Sequence, residues 1–132
     1  MKRPVWIYRE TVLTLHEQLL AAFGGSSGIR DKGLLESALA RPENLFAYGK
    51  SDVFDLAASC GAGLVKNHPF VDGNKRIGFA VAVLFLELNG YRFQAGEADA
   101  TVRTLALAAG DLEESDYAAW LQANSRRART RR

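Results

Sequence analysis

Most of the chemistry this chain can offer sits in nine consecutive residues. His68-Pro69-Phe70-Val71-Asp72-Gly73-Asn74-Lys75-Arg76 brings together an imidazole, a carboxylate, a glycine, an amide, an ammonium and a guanidinium. Pro69 disfavours helix at His68 and removes a backbone donor, so a helix arriving at His68 has to stop. The apolar run that follows Lys75 starts the next helix, so the segment is a loop directly before a helix N-terminus. Such a terminus presents unpaired N–H groups and the positive end of the macrodipole, which together favour anions. Gly73 lets a phosphate approach the backbone, and Lys75 and Arg76 add positive charge at the same place. Asp72 is the only acid in the segment, and one carboxylate beside phosphates is a usual way to hold Mg²⁺. His68 has an ordinary pKa suited to taking a proton from an attacking hydroxyl. Phe70 alternates with the polar residues and is expected to point inward as an anchor. Together these are the components of a phosphate-transfer site. Each also has a plain structural reading: a His before Pro can be a turn residue, Asp-Gly-Asn is an ordinary turn signal, and Lys-Arg can be solvated surface. A Walker A loop is absent, since no Gly-x-x-x-x-Gly-Lys-Ser/Thr occurs.

The elements that must position this loop are helical. Val12, Leu13, Leu15, Leu19, Leu20 and Phe23 form a helical stripe over about Glu10 to Phe23, ended by Gly24-Gly25-Ser26-Ser27-Gly28. Asp31 caps a second helix carrying Leu34, Leu35, Ala38 and Leu39, which Pro42 is expected to stop. Glu43 to Ser51 reads as an irregular loop. Asp52 caps a third helix, Val53 to Asn67, whose Ala and Gly content predicts close packing. A fourth runs from Lys75 to Leu88 and stops at Asn89-Gly90; it is apolar on all sides between Ile77 and Leu86, which predicts a central place in a bundle. Ala98 to Ala109 and Glu114 to Ala123 are two more helices, with Gly110 between them. Val5-Trp6-Ile7-Tyr8 and Tyr91-Arg92-Phe93 are candidate short strands. The expected fold is all-α, around one buried helix preceded by the loop, with at most one or two very short strands.

Composition narrows the function classes. With 132 residues, 48% hydrophobic and 24% charged, one soluble globular domain is expected. The net charge of +2 is divided unevenly: Arg126, Arg127, Arg129, Arg131 and Arg132 crowd the C-terminus, and without them the chain is acidic. A uniformly basic nucleic-acid-binding surface is thereby excluded, leaving at most a weak contact through the tail. Residues 1–123 are expected to form the domain and 124–132 an Arg-rich disordered tail. The single cysteine, Cys60, allows no internal disulfide and fits a reducing, cytoplasmic setting; it reads as a buried small hydrophobe rather than a nucleophile. Two histidines and one cysteine leave no zinc-finger spacing. Arg9 and Glu10 interrupt any signal-peptide core, and the apolar run from Ile77 is about half the length of a membrane helix.

The loop closely resembles the core motif of the Fic/Doc superfamily, His-x-Phe-x-Asp/Glu-Gly-Asn-Gly-Arg-x-x-Arg, in the Doc form that has Lys at the second glycine. Gly28-Ile29-Arg30-Asp31, Leu35-Glu36-Ser37-Ala38-Leu39-Ala40-Arg41-Pro42 and Leu84-Phe85-Leu86 leading into Asn89-Gly90-Tyr91 are similar too, so the resemblance runs from about Trp6 to Ala123. It implies the compact α-helical Fic fold and ATP or another nucleoside triphosphate with Mg²⁺ as cofactors. It implies His68 as general base, Asp72 as the metal ligand, Gly73, Asn74, Lys75 and Arg76 as phosphate-binding residues, and Phe70 as the anchor of the loop. Doc proteins act as kinases of elongation factor Tu, whereas Fic proteins transfer AMP to protein hydroxyls. Lys75, and Phe79 in place of the second arginine, favour the Doc-like kinase; Gly73 keeps AMP transfer as the alternative. A catalytically silent interaction module is the third hypothesis. No Ser or Thr is followed four residues later by Glu, so the self-inhibitory Fic motif is missing. The resemblance then implies an external inhibitor, a small antitoxin of the Phd type. Asn44 to Ser51 stand where Fic proteins carry a target-docking flap. His16 reads as a surface or packing residue, and Trp6 and Trp120 as core or interface aromatics.

Overall fold

Helix α3, Val53–Asn67, is the element on which four of the other helices pack, the first helix packing instead on the fourth. From Val53 to Val65 every residue but Asp55 is buried. The computed structural model describes residues 3–49 and 51–128. In chain order the remaining elements are α1 (Arg9–Phe23), α2 (Lys32–Ala47), α4 (Asn74–Leu88), β1 (Tyr91–Phe93), α5 (Glu97–Ala109), α6 (Glu114–Ala123) and β2 (Ser125–Arg127). Small residues let α3 meet its neighbours backbone to backbone. A Cβ added at Gly61 would stand 3.0 Å from the Gly78 carbonyl oxygen on α4, and one at Gly63 would stand 3.1 Å from Ala38 Cα on α2. Its start is closed by a reciprocal capping box, Asp55 N–H to Asp52 at 2.8 Å and Asp52 N–H to Asp55 at 3.0 Å. Asp31 caps α2 as expected, accepting from Leu34 N–H at 2.9 Å.

The helix after the loop, α4, buries Ile77, Gly78, Val81, Ala82, Phe85 and Leu86 against α3, while Phe79, Ala80, Val83 and Leu84 are half-buried. The most enclosed position thus goes to α3 rather than to the uniformly apolar α4. Glycine and alanine allow neighbours to approach α3 on several sides, a property that hydropathy does not report.

Three local expectations are corrected. Pro42 lies inside α2, which continues to Ala47. Asn44 to Ala47, read as part of a loop, form its last turn. The missing donor costs about 3 kcal/mol, opposed by core packing of Leu45 and Phe46 beyond it. The ring of Trp6 stands edge-on to Phe46 with centroids 5.7 Å apart. Val5 to Tyr8 forms no strand among the described residues; the Asn89 side chain bonds it instead, accepting from Val5 N–H at 2.7 Å and donating to Val5 O at 3.0 Å.

The third correction concerns the tail. Ser125–Arg127 is a strand, antiparallel to Tyr91–Phe93, with Arg126 opposite Arg92 and Arg127 opposite Tyr91. Residues 129–132 lie outside the described residues. Gln94 N–H to Asn124 O and Ala128 N–H to Gly90 O, both 2.9 Å, close the ladder at its ends. Ser-Arg-Arg has little strand propensity of its own; pairing is imposed by β1, whose Tyr91 and Phe93 pack on Phe54 and Trp120. Two guanidiniums directly opposite one another are unfavourable. Arg126→Glu is therefore expected to stabilise the protein by about 0.2–1 kcal/mol, measured as a higher urea midpoint at low salt. A lower midpoint would show that Arg126 has a favourable partner.

Candidate active site

The loop begins where α3 ends. His68 is its C-cap and has φ 51° and ψ 56°, the only left-handed non-glycine residue among those described. A side chain there costs roughly 1–2 kcal/mol, which is why glycine is usual at such helix ends. Arg30, from the connection between α1 and α2, clamps the same turn. Its Nε donates to His68 O at 2.7 Å and its Nη2 to Asn67 O at 2.9 Å. The imidazole of His68 is exposed.

The α1–α2 connection, whose Gly24-Gly25-Ser26-Ser27-Gly28 the sequence marks only as the end of a helix, runs alongside the loop. Val71 N–H donates to Gly28 O at 3.0 Å, and Arg30 and Asp31 N–H donate to Pro69 O at 2.7 and 3.0 Å. Ile29 and Phe70 form an isolated antiparallel bridge. The Phe70 ring is buried and stacks on the His16 imidazole, centroids 3.8 Å apart and planes 15° apart.

Asn74, expected among the phosphate ligands, is corrected in one respect. Its side chain is buried and occupied by the loop itself: Oδ1 accepts from Phe70 N–H and Nδ2 donates to Phe70 O, both at 3.0 Å. Only its backbone N–H is left to face an anion. Gly73 is the N-cap of α4 with φ 77° and ψ 19°, and no side chain caps this helix start. The first intrahelical bond is Ile77 N–H to Gly73 O at 2.9 Å, so the N–H groups of the first turn remain available. Lys75 and Arg76 are exposed there, and neither joins an acidic side chain in an ion pair among the described residues. The Arg76 guanidinium lies 4.5 Å over the Phe23 ring.

The Asp72 carboxylate is exposed at the same helix start. Its oxygens accept from Gly73 N–H at 2.9 Å and Ser26 N–H at 3.2 Å, which leaves lone pairs free on both. No group of three or more His, Cys, Asp or Glu that could hold a metal occurs among the described residues. The donor set therefore does not fit an all-protein metal cage. It fits a Mg²⁺ ion held by one carboxylate and completed by phosphate oxygens and water.

His68, Asp72, Lys75 and Arg76 are each exposed and Gly73 is half-buried, while Phe70 and Asn74 are buried. The sequence alone gives no role to Arg30 and Ser26, and it reads His16 as a surface or packing residue. His16 is buried, and its Nε2 lies 2.8 Å from Asp72 O. Cys60 is buried and free, and burial pushes its thiol up to about 12, away from the reactive thiolate. Phe79, where AMP transferases carry a second arginine, packs against Phe93 and Trp120, at 5.8 and 6.3 Å between centroids.

Residues 6–86 match the Fic/DOC family. Over 94 residues the chain is 42% identical to a protein of Mycolicibacterium smegmatis named Toxin Doc, covering 68% of each. Over 112 residues it is 33% identical to the protein of Escherichia phage P1 named Protein kinase doc, covering 83% of this chain and 86% of that one. The family match takes in the whole loop and every segment that grips it, from His16 through Arg30 to Arg76; the chain belongs to the Fic/DOC family, among its Doc-type members.

Proposed function

We propose that this chain is the toxin of a toxin–antitoxin pair and that it transfers the γ-phosphoryl group of ATP to a hydroxyl of elongation factor Tu, stopping translation. The observation that carries this is the placement of an exposed imidazole, His68, one short loop before an uncapped helix start bearing Asp72, Lys75 and Arg76. The target hydroxyl would lose its proton to His68 as its oxygen bonds to the γ-phosphorus, and the bond to the β-phosphate oxygen would break, releasing ADP. The α4 N–H groups, Lys75 and Arg76 would hold the phosphates. Mg²⁺, when bound at Asp72, would neutralise charge on the phosphate oxygens.

The relatives' names support the toxin and kinase parts of this proposal. Phe79 supports phosphoryl over AMP transfer, because its ring fills an aromatic cluster where a second phosphate clamp would be needed. A Phd-type antitoxin as inhibitor and the cytoplasm as compartment follow from the same proposal. No helix among the described residues is long and apolar enough to cross a membrane.

The test is incubation of the purified protein with elongation factor Tu and ATP labelled separately at the α and γ phosphates. Label from the γ position alone is expected on the target. Retention of α label would replace the kinase assignment by AMP transfer, and absence of both would favour a silent interaction module.

A further inference from the structure

His16 is a buried imidazole, 2% exposed, that the transfer chemistry above does not use. It is 56 residues away from Asp72 in sequence, yet its Nε2 is 2.8 Å from the Asp72 carbonyl oxygen. A carbonyl only accepts, so this nitrogen carries the proton. The same peptide unit supplies the Gly73 N–H, which donates to Asp72 Oδ1 at 2.9 Å. In a planar trans peptide the C=O and N–H point in opposite directions. Holding the carbonyl towards α1 therefore turns the N–H towards the Asp72 carboxylate.

Gly73 itself does not enforce that choice, and the only local support is its own N–H bond to Asp72 Oδ1. Glycine populates positive and negative φ about equally, so the Asp72–Gly73 peptide is free to face either way. A flip would take Gly73 out of its φ of 77° and remove the donor from the carboxylate. The long-range bond from His16 selects one orientation. The imidazole is itself held, by its 3.8 Å stack on Phe70.

We propose that His16 is a positioning residue for the nucleotide end of the loop: its Nε2–H sets the Asp72–Gly73 peptide, and through it the Asp72 carboxylate and the start of the α4 anion site. This inference rests on the functional proposal only in taking Mg²⁺·ATP as the ligand of that end.

Two variants separate the donor from the ring. His16→Phe keeps an aromatic ring against Phe70 but has no N–H; His16→Gln keeps a donor of similar reach and loses the stack. Mg²⁺·ATP binding would be measured by calorimetry on the full chain, with ATP in EDTA as control, and the Gly73 amide followed by ¹H–¹⁵N NMR. In His16→Phe the Gly73 resonance is expected to move, and Mg²⁺·ATP affinity to fall by about 10- to 100-fold, the usual loss for an outer-shell partner. Metal-free ATP binding should fall less, since it senses the α4 start but not the Asp72 carboxylate, and His16→Gln should recover most of the loss. An unmoved Gly73 amide with wild-type Mg²⁺·ATP affinity in His16→Phe would overturn the proposal. So would a wild-type spectrum showing Nε2 of His16 unprotonated, a measurement that needs no variant to fold. If the wild type binds no Mg²⁺·ATP, the functional proposal fails and the Gly73 amide alone decides the role of His16.

Discussion

Replacing His68 by alanine is expected to abolish growth arrest in expressing cells and to slow phosphoryl transfer by about 10²- to 10⁴-fold, the usual contribution of a positioned general base. The fold should survive. The imidazole is exposed and makes no hydrogen bond among the described residues, while the turn that carries it is held through backbone carbonyls by Arg30. The left-handed conformation makes the expectation sharper. Glycine is the favoured residue at a helix end of this kind, so His68→Gly should be inactive yet as stable as the wild type or about 1 kcal/mol more stable. Activity and thermal midpoint would then move independently, the mark of a residue kept for chemistry at some expense of stability. Transfer of γ label measured beside thermal unfolding checks both. Wild-type transfer in His68→Ala would remove the imidazole from the mechanism.

The largest effect on stability is expected from Phe70→Ala, at about 3–5 kcal/mol out of the roughly 5–15 kcal/mol typical of a domain. Phe70 is 1% exposed, and its ring forms one half of the stack with His16. Its backbone N–H and C=O are both bound by the Asn74 side chain. Removing the ring opens a cavity beside an imidazole that also carries the Asp72 bond, so the loop should loosen at both His16 and Asn74. Urea unfolding with a two-state fit measures the loss. Phe70→Leu, which refills most of the volume, should lose markedly less. A loss below about 1 kcal/mol for the alanine variant would show that the loop is held by its backbone pairing with Gly28 to Asp31 rather than by the ring.

What could be read without coordinates was local. Asp31 and Asp52 cap helices where their side chains reach an N–H three residues on. The stop at His68-Pro69 and the turn at Gly110 follow from backbone sterics within a residue or two. Pro42 shows the limit of such rules: its cost is local, but the packing that outweighs it comes from Leu45 and Phe46 meeting a core built by other elements. The Arg-rich end shows it again. Ser125 to Arg127 has no apolar pattern of its own and becomes a strand because Tyr91–Phe93 offers an edge.

Which groups can react is legible in the order of residues, because the loop is contiguous: imidazole, carboxylate, glycine and two cations fall within nine residues, and a proline and a glycine place them before a helix. How those groups are held depends on long-range packing. The contacts that hold the loop span 38 residues from Arg30 to His68, 46 from Ser26 to Asp72 and 56 from His16 to Asp72. Residues so far apart meet only once α2 and α4 have packed on α3 and α1 on α4. That packing gives Asn74 to the loop's own backbone, makes His16 a donor to the turn, and leaves Asp72, Lys75 and Arg76 facing solvent together.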